Sequence, residues 1–212
     1  MAAPRIKLCG LTDSTALDAA VAARADFVGF NFYPPSPRFL PPAKAAELGA
    51  QAAGRIGRVG VFVDAADAAI AEAVAAARLD AIQLHGSESP QRAAELRSRF
   101  GIPVWRVISV AKAEDIAKAA AYKGAADFIL FDAKTPKGTL PGGMGLAFDW
   151  SLLAGVKLTL PWGLAGGLIP ANVAEAVRIT GAPLVDAASG IESAPGVKDP
   201  ALIAAFCAAA RS

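Results

Sequence analysis

The sequence is poor in the residues that announce most chemistries. Its 212 residues include two cysteines, Cys9 and Cys207, and one histidine, His85. Two cysteines near opposite ends exclude a multi-bridge disulfide framework and suit a reducing, cytoplasmic setting. No Cys-x-x-Cys, His-x-His or His-Glu-x-x-His occurs, so no metal-ligand spacing is present and no metal is expected. The chain has neither a P-loop nor a dinucleotide fingerprint, and no Gly-x-Ser-x-Gly elbow. A nucleotide cofactor and a serine triad are therefore not expected. Charge is sparse as well: charged residues make up 19%, the net charge is +2, and no basic run stands out. Nucleic acid and anionic membranes are poor partners for such a chain. No apolar run is long enough to span a bilayer, and the segment Met1 to Arg5 lacks the apolar stretch of a signal peptide.

What the chain has is hydrophobic residues, at 54%, arranged in two alternating textures. Short runs of Val, Ile, Leu and Phe read as buried strands, and longer Ala-rich runs with charges at helical spacing read as helices. The patterning predicts strands at 5–9, 26–31, 58–63, 81–85, 104–108, 127–132, 158–165 and 183–187. It predicts helices at 14–25, from Pro42, at 66–78, 89–100, 113–121 and 170–179, and from Pro200, with a short helical stretch near Trp150. A strand–helix unit repeated about eight times favours a parallel sheet, closed into a (β/α)₈ TIM barrel rather than left open and doubly wound. No linker or composition shift divides the chain, so residues 1–212 are expected to form one catalytic domain.

Strand parity then sorts the polar residues. Lys7 shares a face with Cys9, Gly29 with Asn31, Gln83 with His85, Leu130 with Asp132, and Leu184 with Asp186. Cys9, Asn31, Asp64, His85, Asp132 and Asp186 also stand at the C-terminal ends of their strands, the rim where barrel active sites lie. Asp13 and Asp64 have a simpler role open to them, as caps of the following helices. Cys207, in an Ala-rich terminal helix, reads as packing. Three glycine-bearing segments follow the late strands: Gly142-Gly143-Met144-Gly145, Ala165-Gly166-Gly167-Leu168 and Ala188-Ser189-Gly190-Ile191. Glycine lets backbone N–H groups close on an anion, and the loops after strands seven and eight of a barrel often hold phosphate.

Taken in order, Lys7-Leu8-Cys9-Gly10-Leu11-Thr12, Gly29 through Arg38, Gly60 through Val63, Gln83-Leu84-His85-Gly86 and Phe131-Asp132-Ala133-Lys134 resemble the phosphoribosylanthranilate isomerase family of tryptophan biosynthesis. So do Phe148-Asp149-Trp150, Leu164 through Leu168 with Pro170 and Asn172-Val173, and Val185-Asp186 through Lys198-Asp199. The set covers nearly the whole chain. The resemblance implies an Amadori rearrangement of a small phosphorylated substrate without any cofactor, in a monomer or homodimer. It makes Cys9 the general base, Asp132 the general acid, Arg38 the grip on the anthranilate carboxylate, and His85 and Asp186 part of the substrate pocket. Gly143, Gly145, Gly166, Gly167, Ser189 and Gly190 would hold the phosphate. A general acid must start protonated, and a partly dry barrel mouth favours the neutral carboxyl. A free thiol is mostly protonated at neutral pH, so a nearby cation such as Lys7 would raise the thiolate fraction. Lys7 has a second option, pairing with a carboxylate inside the barrel.

Two positions depart from the family pattern. Met144 and Ala188 stand where hydroxyl residues are usual, which removes two possible donors to phosphate. Other sugar-phosphate barrels fit less well: an indoleglycerol-phosphate synthase wants Lys acids and a Glu, and a ribulose-phosphate epimerase wants metal-binding histidines. A bifunctional histidine-pathway relative would carry two Asp residues in place of Cys9 and Asp132. A non-catalytic sensor of anthranilate or phosphate is the remaining alternative.

Overall fold

The β-branched and aromatic runs form eight short parallel strands that close on themselves in chain order. They are β1 (Arg5–Cys9), β2 (Phe27–Asn31), β3 (Gly57–Phe62), β4 (Ala81–Leu84), β5 (Val104–Val110), β6 (Phe128–Ala133), β7 (Trp162–Leu164) and β8 (Leu184–Ala187). The computed structural model describes residues 3–134 and 148–212. Around the barrel lie α1 (Ser14–Ala22), α2 (Pro42–Ala52), α3 (Asp67–Ala77), α4 (Pro90–Phe100), α5 (Ala113–Ala117), α6 (Val173–Thr180) and α7 (Pro200–Ala209).

Local chemistry starts and stops these helices. Asp13 caps α1 by accepting from the Ala16 N–H at 2.8 Å, as its sequence position suggests. Ser89 and Asp199 cap α4 and α7 in the same way, each ahead of a proline in the first turn. Gly101 and Gly181 end α4 and α6 in the left-handed region, where a side chain would be strained.

The alternation of inward and outward side chains creates two cores separated by the sheet. Val59, Ala81, Trp105, Val107, Phe128, Leu130 and Leu184 fill the barrel interior. Residues of the opposite parity, among them Ile6, Leu8, Val28, Phe30, Ile82, Ile129, Phe131 and Val185, pack outward under the helices. Trp105 packs between Phe27 and Phe128, with ring centroids 5.2 and 4.5 Å away, closing the lower barrel. Cys9, Asp132 and Asp186 stand at or near the C-terminal ends of β1, β6 and β8.

Several expectations give way. The short helical stretch expected near Trp150 is present as a 3₁₀ turn, Trp150–Leu153, but other boundaries shift. Strand β7 spans Trp162–Leu164, not 158–165, because Pro161 has no N–H to add to a ladder. Helix α5 stops at Ala117 and tightens into a 3₁₀ turn over Lys118–Tyr122. Helix α6 begins at Val173, not Pro170, because Asn172 folds the preceding turn. Its Oδ1 accepts from Ile169 N–H, and its Nδ2 donates to Gly167 O. Asp64 is not a helix cap: its φ is +47°, and its Oδ1 accepts from the N–H and Oγ of Ser87. After β8 the chain makes a small unforeseen hairpin, β9 (Glu192–Ala194) and β10 (Val197–Lys198).

Candidate active site

Register brings the polar rim together. In the β1–β8 pair Lys7 stands opposite Asp186, and in the β1–β2 pair Cys9 stands opposite Gly29. Lys7 is fully buried, and its Nζ donates to Asp186 Oδ2 at 2.7 Å. This fills the second role open to Lys7, pairing with a carboxylate inside the barrel, while Cys9 stands two residues on along the same strand. Burial opposes its charge, but Asp186 and Cys9 outweigh that and hold the ammonium above the ordinary lysine value. Asp186 Oδ1 is buried and accepts no hydrogen bond among the described residues. A substrate hydroxyl would satisfy it.

Burial also pushes the Cys9 thiol up, against the pull of Lys7 and Lys198, with Asp186 adding to the rise. The cation expected beside Cys9 is present, yet it does not overcome desolvation. Space around the sulfur is tight: a Cβ on Gly29 would lie 2.7 Å from Cys9 Sγ. The Gly29 carbonyl in turn accepts from the N–H groups of Gly10 and Leu11, at 2.8 and 3.2 Å, which fixes the turn after Cys9.

Asp132 stands at the end of β6, opposite Ser109, and 6% of its surface is exposed. Its Oδ2 lies 3.2 Å from His85 Nε2, and its Oδ1 accepts from the Ala133 N–H at 2.8 Å. Both Asp132 and His85 act electrostatically on Asp186, so the groups of β1, β4, β6 and β8 share one mouth. The loop carrying His85 is held from below. Glu88 accepts from the N–H groups of Asp64 and Gly86, and from Arg106 Nη1 at 2.7 Å. Arg106 also donates to Gly86 O, and Tyr122 OH donates to Glu88 O.

Arg38 lies on the loop after β2, mostly buried, with its stem against Gly10, where a Cβ would meet Arg38 Cδ at 2.5 Å. Its Nε and Nη2 donate to Glu192 Oε1 and Oε2 at 2.8 and 2.7 Å. Glu192 also takes a 2.6 Å bond from Lys198 Nζ, which donates to Ala188 O as well. Although burial disfavours its charge, these partners hold the Glu192 carboxyl below the ordinary value. Sequence reasoning missed Glu192, Arg106 and Glu88, and saw Lys198 only as one letter of a motif. Their partners lie up to 154 residues away, as for Arg38 and Glu192, so no local pattern reveals them.

On the opposite side, Gly166 and Gly167 take φ values of +88° and +64°. Among the described residues, neither N–H donates a hydrogen bond. Gly166 fits tightly against the end of β6, since a Cβ there would lie 2.5 Å from Ala133 N and 2.9 Å from Asp132 Oδ1. A Cβ on Gly190 would lie 1.9 Å from Leu168 O, so the loops after β7 and β8 abut. Two adjacent loops with glycine N–H groups have the makings of an anion nest. Gly143 and Gly145, also expected to hold phosphate, lie outside the described residues, as does Met144. Asn31 turns out to brace the loop after β2, accepting from Tyr33 N–H and donating to Ser36 Oγ. Cys207 is buried in α7, where desolvation pushes its thiol up to about 11, the state of an inert packing residue.

A family model described as N-(5'phosphoribosyl)anthranilate (PRA) isomerase matches residues 6–209. The protein named N-(5'-phosphoribosyl)anthranilate isomerase from Paramagnetospirillum magneticum is 54% identical over 207 residues, covering 97% of this chain and 96% of its own. A crystal structure of phosphoribosyl anthranilate isomerase from Thermotoga maritima superposes with a TM-score of 0.88 at 34% identity, covering 98% of both chains. Another crystal structure, of a phosphoribosyl anthranilate isomerase in complex with reduced 1-(o-carboxyphenylamino)-1-deoxyribulose 5-phosphate, gives 0.82 at 31% identity and again covers 98% of both chains.

Proposed function

The chain belongs to the N-(5'-phosphoribosyl)anthranilate isomerase family and is that isomerase of tryptophan biosynthesis, and from this premise we propose that Cys9 and Asp132 are its acid–base pair. The observation that carries the assignment is the set of polar groups gathered at the barrel mouth. Cys9 and Lys7 share β1, Lys7 Nζ bonds Asp186 Oδ2 at 2.7 Å, and Asp132 Oδ2 lies 3.2 Å from His85 Nε2.

The Amadori rearrangement needs a proton delivered to the ribose ring oxygen and another removed from C2'. Asp132 donates to the ring oxygen and opens it, leaving an iminium. The iminium acidifies the adjacent C–H, and the Cys9 thiolate removes that proton to give an enolamine, which tautomerises to the ketone. A positive iminium beside the sulfur favours the thiolate just when a base is required, which suits a thiol that burial otherwise pushes up. Asp186 Oδ1 accepts from a sugar hydroxyl, and His85 orients Asp132. Arg38 holds the anthranilate carboxylate, a planar group for which a guanidinium is suited. The Gly166–Gly167 and Ser189–Gly190 loops hold the phosphate by backbone N–H groups, together with Gly143 and Gly145. The partner is thus a small phosphorylated molecule, the class found in the related complex.

Residues 1–212 act as one catalytic domain. Two free thiols, one of them the base, suit a reducing cytoplasm. No described helix is long and apolar enough to cross a membrane.

The test generates substrate in situ from anthranilate and phosphoribosyl pyrophosphate with a coupling transferase, and follows the loss of its fluorescence. Wild type should turn over, and Cys9→Ser and Asp132→Asn should each fall by about a hundredfold or more. Turnover surviving in Cys9→Ser dismisses Cys9 as the base. Ligand affinity without wild-type turnover points to a sensor.

A further inference from the structure

The Arg38–Glu192–Lys198 cluster raises a question of charge. An arginine meant to receive a carboxylate is already gripped by one, through a two-bonded contact with Glu192. Taken alone, that buried pair has no net charge to offer a second anion. Lys198 changes the sum. Its side chain is completely buried, its Nζ is 2.6 Å from Glu192 Oε1, and a second bond to Ala188 O fixes it to the loop after β8. With Lys198 protonated, the three side chains carry one net positive charge in a place water does not screen.

The hairpin that carries Glu192 and Lys198 is built to hold this cluster against Arg38. Gly196 has φ +82°, and a Cβ there would lie 2.5 Å from Pro37 O, the residue before Arg38. The Arg38 stem lies against Gly10, next to Cys9. The charged and titratable groups facing Lys198 are Glu192 from β9, Arg38 from the loop after β2 and the Cys9 thiol from β1; burial, joined by Arg38, holds the ammonium below the ordinary lysine value against the pull of Glu192 and Cys9. The net positive charge beside Cys9 therefore belongs to the three side chains together: Glu192 and Lys198 of the hairpin cancel, and Arg38 supplies the excess.

We propose that Lys198 is a positioning residue for carboxylate recognition: by offsetting Glu192 it leaves Arg38 with a net positive charge for the substrate's aryl carboxylate, while Glu192 fixes the guanidinium plane. The inference rests on the assignment of Arg38 to that carboxylate. It adds that a carboxylate-bearing ligand is selected by the trio, and that arginine without lysine is insufficient.

Two probes separate these claims, both made by reductive amination of ribose 5-phosphate. One is 1-(2-carboxyphenylamino)-1-deoxyribitol 5-phosphate, and the other is its phenylamino counterpart lacking the carboxylate. Dissociation constants are measured by calorimetry for wild type, Lys198→Gln, Lys198→Arg and Arg38→Met, with circular dichroism confirming folded protein. Lys198→Gln should weaken the carboxylate probe by about tenfold, the effect of one nearby unscreened charge. It should leave the other probe within about twofold, since both share the phosphate contacts. Lys198→Arg, which keeps the charge, should recover most of the loss and serves also if Lys198→Gln does not fold. Equal weakening of both probes, or none, in folded Lys198→Gln overturns the proposal, as does Lys198→Arg behaving like Lys198→Gln. If Arg38→Met is selective and Lys198→Gln is not, only the role of Lys198 falls. If Arg38→Met is not selective either, the carboxylate assignment falls with it.

Discussion

Gly29→Ala tests whether the position of the Cys9 sulfur matters to turnover. Gly29 is paired with Cys9 across β1 and β2, and an added Cβ would lie 2.7 Å from Sγ, 3.1 Å from Cys9 Cα and 3.3 Å from Cys9 Cβ. A carbon needs about 3.5–4.0 Å from such neighbours, so the sulfur must retreat by about 1 Å or the two strands must part. A displacement of about 1 Å at a reacting atom costs about a hundredfold in rate. Overpacking of this kind destabilises by about 1–3 kcal/mol, and at about 2–4 °C per kcal/mol Tm should fall by about 2–12 °C. Gly57→Ala is the matched control. Its Cβ would strike the Phe27 ring at 2.5 Å, in the plug below the site, so it should lower Tm similarly with kcat nearly intact. The assay is loss of substrate fluorescence at saturation, with thermal unfolding by circular dichroism on the same samples. Normal kcat in folded Gly29→Ala would refute the reasoning about Cys9. Equal kcat losses in both variants would trace the effect to the barrel at large.

Lys7→Met should destabilise by about 3–5 kcal/mol, because it leaves Asp186 buried without its partner, whereas Lys7→Met with Asp186→Leu should recover a large part of that in urea unfolding. A double variant as unstable as the two singles combined would contradict this. Because burial holds the Cys9 thiol above its ordinary value of 9.0, against Lys7 and Lys198 and with Asp186, iodoacetamide labelling of Cys9 in the empty enzyme should still be rising at pH 9; a plateau by pH 7 would show a thiolate already formed. Asp115, bound by Lys118 and by the N–H groups of Ala111 and Lys112, has its carboxyl lowered from 3.8 to about 2. Such a group stabilises above its unfolded pKa and loses that contribution as pH falls through its folded one. The Tm gap between wild type and Asp115→Asn should therefore be full at pH 6 and shrink between about pH 4 and pH 2, and a gap independent of pH would refute the assignment.

The barrel was legible because a parallel strand buried on both faces repeats a simple rule. Val, Ile, Leu and Phe mark its length, and parity sorts its faces. Lys7 and Cys9 fall on one face of β1, and Leu130 and Asp132 on one face of β6, so two strands point the same chemistry at one mouth without any alignment. Chain ends of strands were less legible. Pro161 shortens β7 by denying it a donor, and Asn172 delays α6 by closing a turn with its own side chain, effects that composition averages away.

Lys198 shows why the rest of the site was hidden. It belongs to a stretch that carries the family resemblance, but nothing there assigns it a role, and a lysine after Val197 in a short hairpin is ordinarily a solvated charge. Its importance arises only when β8 closes onto β1, which sets the loop after β8 against the loop after β2 and places Glu192 on Arg38. Closure also explains why the cluster tolerates burial. Each of its charges has a partner at hydrogen-bond distance, and the three side chains sum to one positive charge. An excess charge held this way is costly in the empty enzyme and relieved by an anion, so the cluster gives differential binding to whichever ligand brings a carboxylate to Arg38.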